Sequence, residues 1–386
     1  MDSPAFVSSF IPSSVTSRAF TNGHTSVSNR RSAPKQANRI AIRASATKSQ
    51  VGIGVIGCGR IGQVHARTIS QLNSASLIAV ADPFEKFGRM VAKDFATQWT
   101  PKWEDLLTND DVQGIVIGSP TPFHAEQIIK SAEAGKDIFC EKPISNDLAV
   151  IDKCLDAVAA NGVRLLVGFQ RRFDSNFASV REQVASGAIG QVRMFHITSR
   201  DPAPPPAEYL AQSGGIFLDM TSHDWDMARF ITGAEIESVY VTGAAFEDAA
   251  KQADDIDTAI TVLKMSDGSF GTIDNSRRCS YGYDQRIEVF GSTGTINSNN
   301  RAPNTVVTSN EMGISAGLPY SFFMDRYAEA YSGAMTTFVN MISNGTPPPC
   351  TGLDGRASIV AAMAAAKSHK EGRAVRLEEC DLVRVH

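Results

Sequence analysis

The chain has 386 residues, of which 42% are hydrophobic and 20% charged, a composition typical of globular proteins and unlike that of fibrous or disordered chains. Its formal net charge of −4 is unevenly divided. Residues 1–50 hold seven basic residues and one acidic residue, a charge of +6, whereas residues 51–386 hold 30 basic and 40 acidic residues, a charge of −10. Because an acidic body repels the phosphate backbone, this charge disfavours non-specific binding to nucleic acid.

Residues 1–50 have the composition of an organelle transit peptide. They contain eleven serines, four threonines, five arginines and one acidic residue, whereas a secretory signal needs an uninterrupted apolar run. The stretch 40–45, Ile-Ala-Ile-Arg-Ala-Ser, resembles a plastid processing site with cleavage near Ala44. The early phenylalanines and the lack of arginine before Arg18 favour a plastid, with a mitochondrial peptide or a plain disordered tail as alternatives. We therefore expect residues 1–50 to be removed from a plastid protein.

The six cysteines show no Cys-x-x-Cys or other paired spacing. Several lie in or beside apolar segments, where a free cysteine behaves as a small hydrophobic side chain. We predict that all six are reduced and that none is catalytic. No segment after residue 50 contains the roughly eighteen consecutive apolar residues of a membrane span. The sequence therefore predicts neither a metal site nor a membrane anchor.

A regular alternation of short apolar runs and helical stretches begins at Val51. The apolar runs, interpreted as buried strands, lie at 51–56, 77–81, 112–117, 137–140 and 163–169. The stretches between them, near 62–73, 85–95, 122–134 and 146–161, have the spacing of helices. Strands that alternate with helices form βαβ units, so we predict an α/β fold with a doubly wound parallel sheet, a Rossmann domain, over residues 51–170.

The pattern changes near residue 185. Longer strands joined by turns are predicted at 191–199, 236–246, 256–265, 268–278 and 285–290, and helices near 322–343 and 354–369. Runs of strands with few helices favour an α+β domain with a large, mostly antiparallel sheet, which we place at residues 171–386. Because such a sheet leaves a broad face to cover, we expect a homo-oligomer.

A nucleotide-binding motif lies between the first predicted strand and helix. Residues 57–62, Gly-Cys-Gly-Arg-Ile-Gly, match GxGxxG: Gly57 permits the turn, Gly59 lets the backbone approach a pyrophosphate, and Gly62 lets the helix pack on the strand. Free N–H groups at the start of the helix would then hold the phosphates. Asp82 ends the second strand, where a carboxylate binds a ribose 2′-hydroxyl and repels a 2′-phosphate, which favours NAD over NADP. Asp82 would alternatively cap the next helix, and FAD or S-adenosylmethionine would use a similar fold.

Two further clusters carry groups suited to dehydrogenation, which needs a base for the hydroxyl proton. Glu141-Lys142-Pro143 follows the fourth predicted strand, at the edge where open α/β sheets bind ligands. Asp219 and His223 are four residues apart and share one face if the segment is helical. Imidazole titrates near neutral pH, and a neighbouring carboxylate raises its basicity. No tyrosine is followed four residues later by lysine and no Cys/His cluster has zinc spacing, which argues against short-chain and zinc alcohol dehydrogenases.

Together these motifs resemble the Gfo/Idh/MocA oxidoreductase family. The resemblance rests on the glycine motif, Ser119-Pro120-Thr121-Pro122-Phe123-His124, Glu141-Lys142-Pro143 and the Asp219–His223 pair, and it covers the chain from Val51 to its end. Within the family, residues 168–174 and 214–224 are similar to the inositol 2-dehydrogenases. The resemblance implies NAD as cofactor, a polyol or sugar as substrate, and a dimer or tetramer.

The resemblance also implies roles for individual residues. His223 would be the general base, Asp219 would orient and couple it, and Lys142 would hold the substrate hydroxyl. The residues expected around NAD are Gly57, Gly59, Arg60, Ile61, Gly62, Asp82, Ser119, Pro120, Thr121, His124, Glu141 and Lys142. Those expected to reach substrate hydroxyls are Arg171, Asp201, Asp226 and Tyr283. Several have structural alternatives: Arg171 in an ion pair, Asp226 bracing its helix, Tyr283 in the core, His124 capping a helix.

We accordingly expect an NAD-dependent dehydrogenase that oxidises a ring hydroxyl of myo-inositol or a related cyclitol. The alternatives are another sugar or polyol oxidoreductase of the family, acting on an aldose, a glucose–fructose-type pair or a nucleotide sugar, and a non-catalytic NAD-binding protein. The segment 201–206, Asp-Pro-Ala-Pro-Pro-Pro, departs from the family pattern. Because each proline fixes φ and lacks a donor, we expect this segment to be stiff and to alter the pocket.

Overall fold

The structure, a computed structural model, describes residues 50–381, so the predicted transit peptide and its cleavage site lie outside the described residues. A six-stranded parallel sheet, in the order β3-β2-β1-β4-β5-β6, forms the first part. Its strands are β1 Val51–Ile56, β2 Ala75–Ala81, β3 Gln98–Thr100, β4 Gly114–Ile117, β5 Asp137–Cys140 and β6 Leu165–Val167. The connecting helices are α1 Arg60–Ser70, α2 Glu85–Asp94, α3 His124–Glu133 and α4 Leu148–Ala160, with 3₁₀ turns at Trp103–Leu106 and Thr121–Phe123.

The predicted doubly wound sheet is confirmed. Strands β1, β4, β5 and β6 are buried along their whole length, as expected when helices cover a parallel sheet. Strand β3 was not predicted, because it has three residues and no fully buried one.

The order of the strands places the predicted cofactor segments at one edge of the sheet. Strand β1 pairs in parallel with β2 on one side and with β4 on the other, so the chain reverses its direction of winding there. Ligands bind at such a switch point, outside the carboxyl ends of the strands. Gly57 follows β1, Asp82 follows β2, Ser119 is two residues past β4 and Lys142 is two residues past β5.

A second, seven-stranded sheet has the order β12-β11-β7-β10-β9-β8-β15. Its strands are β7 Val192–Arg200, β8 Ile236–Ala244, β9 Thr258–Met265, β10 Phe270–Ser276, β11 Asp284–Gly291, β12 Thr295–Ser298 and β15 Val375–Arg376, and β13 Val307–Asn310 with β14 Gly313–Ala316 forms a separate hairpin. All pairs in this sheet are antiparallel except β7 with β10. The predicted α+β architecture is confirmed.

Eight helices belong to this part of the described chain: α5 Ser175–Ala185, α6 Ala207–Leu210, α7 Ile216–Asp219, α8 Ser222–Thr232, α9 Asp248–Gln252, α10 Phe323–Arg326, α11 Ala328–Asn344 and α12 Gly352–Glu371, with 3₁₀ turns at Gln170–Phe173 and Leu377–Glu379. The helix predicted at 322–343 is broken at Tyr327, which separates α10 from α11.

The two C-terminal helices connect the two sheets. Phe338 of α11 packs in the first hydrophobic core, and so does Ile359 of α12. Ala361 and Ala365, on the same α12, pack in the second core. The crevice between the two sheets is therefore closed on one side by packed helices.

None of the helices between residues 50 and 381 is long and apolar enough to cross a membrane.

Candidate active site

The glycine loop after β1 is built for close backbone approach. Gly57 has φ of +93°, and a Cβ there would lie 2.8 Å from the Ser119 nitrogen. A Cβ on Gly62 would lie 1.9 Å from the Gly57 carbonyl oxygen, whereas one on Gly59 would meet nothing within 4 Å. Open space therefore lies above Gly59. The first bond that closes the helix runs from the Gln63 N–H to the Gly59 carbonyl, so the preceding N–H groups are the unpaired ones typical of a helix start.

Asp82 joins the second strand to this loop. One carboxylate oxygen accepts from the Cys58 N–H at 2.7 Å, and the other accepts from the Phe84 N–H at 2.8 Å. Phe84 immediately precedes α2, so the second of these bonds holds the backbone just before that helix. Each oxygen keeps a lone pair for a ribose hydroxyl. The open cradle, the unpaired N–H groups and the carboxylate fit a dinucleotide.

Two other residues of the motif face the second part of the chain. The exposed Arg60 guanidinium lies 5.6 Å from the centre of the Phe322 ring. Ile61 packs against the second hydrophobic core. The glycine loop thus contacts the second part of the chain as well as the first sheet.

The segment after β4 forms the next wall. Ser119 donates to the Gln127 side-chain oxygen at 2.6 Å, Pro120 is exposed and Thr121 starts a 3₁₀ turn. His124 is buried, and its two ring nitrogens lie 2.8 Å from the carbonyl oxygens of Ser119 and Pro143. The His124 ring therefore connects the loop after β4 with the loop after β5.

Glu141 and Lys142 follow β5 and point in different directions. Glu141 pairs with the buried His65 of α1, with 2.7 Å between Oε1 and Nε2. Lys142 Nζ donates to the backbone carbonyl of Asp219 at 2.9 Å and lies 3.4 Å from the Ser222 hydroxyl. Burial lowers the pKa of Lys142. The lysine therefore lies in the crevice, in contact with the junction between α7 and α8.

Asp219 and His223 do not pair, which corrects the predicted coupling. The helix breaks between them, at Met220 and Thr221. The Asp219 carboxylate instead accepts from the Tyr209 hydroxyl at 2.9 Å and from Arg277 Nη1 at 3.0 Å. Asp219 is therefore oriented from the far side of the crevice, and its charge does not raise the basicity of the imidazole through a hydrogen bond.

His223 lies beside the segment that follows β6. Its ring packs edge-on against Phe169, with 5.9 Å between ring centres. The buried Nδ1 has no hydrogen-bond partner among residues 50–381. Burial first, and the charges of Lys142 and Arg171 next, hold the pKa of His223 well below its ordinary value. The imidazole is therefore neutral at neutral pH and is able to accept a proton.

Asp201, one of the predicted substrate contacts, has Arg277 and Asp219 among its charged neighbours. It follows β7, and its N–H donates to the Ser276 carbonyl. Burial raises the pKa of Asp201 to about 6, while the charges of Arg277 and Arg171 oppose that rise. No protein donor to this carboxylate is present in the described part of the chain. Asp201 is thus a predicted contact with hydrogen-bonding capacity left over.

The other three predicted substrate contacts each have partners within the protein. Arg171 is buried and donates to Asp224 at 2.5 Å. Asp226 is buried and accepts from Arg172 Nη2 at 2.6 Å. Tyr283 packs in the second core, with its hydroxyl 3.5 Å from Arg171. Both Asp226 oxygens accept from Arg172, so Asp226 braces its helix. Arg171 Nε, by contrast, is buried and has no hydrogen-bond partner in the described part of the chain, so Arg171 keeps a donor.

Sequence reasoning missed Tyr209, Arg277, Asp224 and the His65–Glu141 pair. Arg277 follows β10, which runs parallel to β7, so their carboxyl ends place it beside Asp201. That parallel pair is the exception in the sheet, and nothing in the alternation of residues reveals it. Tyr209 follows the proline segment, for which the sequence predicted stiffness but no functional side chain nearby.

Between residues 50 and 381, no group of three or more His, Cys, Asp or Glu side chains is placed to hold a metal ion.

Two family models match the chain. Residues 51–169 match the oxidoreductase family with an NAD-binding Rossmann fold, and residues 177–297 match the GFO/IDH/MocA C-terminal domain. The first of these confirms NAD as the predicted cofactor.

Named relatives match over nearly their whole length. A myo-inositol 2-dehydrogenase of Thermotoga maritima is 44% identical over 85% of this chain and 98% of its own. An inositol 2-dehydrogenase of Rhizobium meliloti is 42% identical over 84% and 98%. A solved scyllo-inositol dehydrogenase of Lactobacillus casei, with NAD(H) and scyllo-inositol bound, has a TM-score of 0.78 at 28% identity, over 86% of this chain and 100% of its own. The chain therefore belongs to the Gfo/Idh/MocA family of oxidoreductases.

Proposed function

We propose that the chain is an NAD-dependent dehydrogenase that oxidises a ring hydroxyl of myo-inositol or a related cyclitol to the ketone. The observation that carries the proposal is the position of Lys142 against the α7–α8 junction, where Asp219 and His223 border the crevice that begins at the glycine loop. The names of the Thermotoga and Rhizobium relatives support a cyclitol substrate.

The residues divide the chemistry as follows. NAD, when bound, supplies the acceptor for the hydride that leaves the carbinol carbon. Lys142 donates to the reacting oxygen and stabilises the negative charge that grows on it. Neutral His223 takes the hydroxyl proton, so the alcohol loses one hydride and one proton and becomes a ketone. Asp219, held by Tyr209 and Arg277, accepts a hydrogen bond from a hydroxyl and orients the ring.

The substrate is tested with a panel of cyclitols and sugars and NAD reduction as the readout. Wild-type protein is compared with His223→Ala and Lys142→Ala, and with His369→Ala as a control on α12 outside the crevice. We expect turnover of a cyclitol that falls about 10²–10⁴-fold in the first two variants. Unchanged turnover in both variants contradicts this assignment of roles. Preference for an aldose or a nucleotide sugar instead favours another activity of the family.

A non-catalytic NAD-binding protein is the remaining alternative. It is disfavoured because the chain keeps Lys142, Asp219 and His223 together. Tight NADH binding without turnover of any polyol on the panel is the result that favours it.

We further propose that the open face of the second sheet binds a second copy of the chain. Its exposed side chains include a continuous row across three paired strands, formed by Phe270, Met194 and Phe290. Tyr240 and Val262 form another pair on the same face. Contiguous apolar patches of this kind mark protein interfaces, which supports a homo-oligomer such as a dimer or tetramer.

We also propose that residues 1–50 direct the protein to a plastid and are removed. The support is their composition, together with a family match that begins at residue 51. N-terminal sequencing of protein recovered from the organelle tests this: a start near residue 45 is expected, and an intact Met1 contradicts it.

A further inference from the structure

Tyr209 lies in α6, just after the proline segment, and its hydroxyl contacts Asp219 of the catalytic set. Residues 202–206 include four prolines, and α6 follows directly, with the Tyr209 N–H donating to the Pro206 carbonyl at 3.0 Å. The next residue, Leu210, is buried and anchors the helix. Because prolines restrict φ and Leu210 is fixed in the interior, Tyr209 is held at a defined place on the wall of the crevice.

The hydroxyl of Tyr209 lies 2.9 Å from Asp219 Oδ1. Its proton is committed to that carboxylate, since a carboxylate only accepts. The phenolic oxygen keeps its lone pairs, and the side chain is 52% exposed. Arg277, which is 1% exposed, holds the other carboxylate oxygen at 3.0 Å. Asp219 therefore cannot swing away from Tyr209 without giving up a buried charge pair.

Tyr209 and Asp219 thus present two acceptor oxygens at the spacing of a hydrogen-bonded pair. Two hydroxyls on neighbouring carbons of a ring polyol have nearly the same separation. One hydroxyl is able to donate to Asp219 Oδ1 while its neighbour donates to the phenolic oxygen. An isolated hydroxyl fills only one of the two positions.

We propose that Tyr209 is a specificity-determining residue that accepts a hydrogen bond from a ring hydroxyl vicinal to the one bound by Asp219, so that the site selects vicinal diols. This inference rests on the proposed function and deepens it. It also gives the proline segment a role, because the segment positions α6, which carries Tyr209. Selection arises because a missing hydroxyl leaves a polar group of the site without its partner.

The test compares wild type and Tyr209→Phe on myo-inositol and on the monodeoxy analogues that each lack one hydroxyl other than the reacting one. Removing the phenolic oxygen deletes one neutral hydrogen bond, so we expect kcat/KM for myo-inositol to fall by about 10-fold more than kcat/KM for one of the analogues. The effect on KM is expected to exceed the effect on kcat, because the contact is made in the ground state as well. Tyr320→Phe, on the segment that precedes α10, is the matched control.

The outcomes separate the inference from the proposed function. An equal fall in kcat/KM on all of these substrates shows that Tyr209 has only a structural role and overturns the inference, and so does an unchanged kcat/KM. A wild-type protein that oxidises no cyclitol overturns the proposed function and the inference with it. An active wild type with the expected substrate-dependent fall supports both.

Discussion

Lys142 Nζ donates a hydrogen bond to the backbone carbonyl of Asp219 over 2.9 Å. The bond joins the end of β5 in the first sheet to the end of α7 in the second part of the chain. The lysine thereby occupies a defined place although it projects from a loop. A backbone acceptor also leaves the Asp219 carboxylate available to Tyr209 and Arg277.

Replacement of Lys142 by methionine is expected to remove activity while the protein stays folded. The variant loses the donor to the reacting oxygen, and we expect kcat to fall by about 10²–10⁴-fold. Burial lowers the pKa of this lysine, so a neutral chain of similar length suits the site. Steady-state kinetics and chemical denaturation measure the two effects, with Lys153→Met on the exposed side of α4 as the control. A kcat within threefold of wild type contradicts the role given to Lys142.

The first sheet and the cofactor loop were predictable from the sequence because residues close together in the chain determine them. Apolar runs and glycine spacing specify the strands, the turn at Gly57 and the position of Asp82. The wall that carries Asp201 and Arg277 was not predictable, because it depends on the parallel pairing of β7 with β10 in an otherwise antiparallel sheet. Spacing alone also misled at Asp219 and His223, since it assumes one continuous helix where the structure has a break.

Asp201 should make the stability of the protein depend on pH. Its folded pKa of about 6 lies above the unfolded value of about 3.9. Between these values the folded state binds more protons than the unfolded state, so stability falls as pH rises through this window and stays lower above it. Asp201→Asn removes the cost of ionisation, and we expect the free energy of unfolding at pH 8 to rise by about 1–3 kcal/mol.

Urea denaturation of Asp201→Asn at pH 4 and pH 8 tests this prediction. The free energy of unfolding of the variant is expected to exceed that of wild type at pH 8. This difference should nearly vanish at pH 4, where the Asp201 carboxyl group of folded wild type is mostly protonated. The exposed Asp110→Asn is the control. A gain of the same size at both pH values contradicts the assignment to ionisation of Asp201.

Replacement of Asp82 by serine is expected to weaken the preference for NAD over NADP. The carboxylate repels a 2′-phosphate and binds the 2′-hydroxyl. It also holds the Cys58 and Phe84 N–H groups, so the variant should bind both coenzymes less well than wild type binds NAD. We expect the ratio of kcat/KM values to fall by about 10–100-fold, which corresponds to roughly 1.4–2.8 kcal/mol. Asp94→Ser, at the exposed end of α2, should leave the ratio unchanged.

The proposed interface is tested by placing a charge in the apolar row of the open sheet. Met194 lies between Phe270 and Phe290 in the row and is exposed. Met194→Glu would bury an unpaired carboxylate between two copies, at a cost of several kcal/mol. Light scattering coupled to size-exclusion chromatography should show a smaller assembly for this variant. Leu353→Glu, in the first turn of α12, should leave the mass unchanged, and a monomeric wild type contradicts the interface.

The His65–Glu141 pair should couple the cofactor helix to the catalytic loop. His65 lies in α1, which starts at the glycine loop, and Glu141 directly precedes Lys142. The Glu141 side chain is 14% exposed and has its imidazole partner at 2.7 Å. Removing one member leaves the other buried without its partner, at a cost of about 1–3 kcal/mol. A double-mutant cycle with His65→Gln and Glu141→Gln, measured by denaturation, should therefore give a coupling energy above about 0.5 kcal/mol. The same variants also test for an effect on catalysis. Since the freed Glu141 carboxylate is able to turn toward Lys142, we expect kcat to fall more in His65→Gln than in the double variant.

Additive effects on stability, together with an equal kcat in His65→Gln and the double variant, would show that the pair contributes packing only and does not couple the helix to the loop.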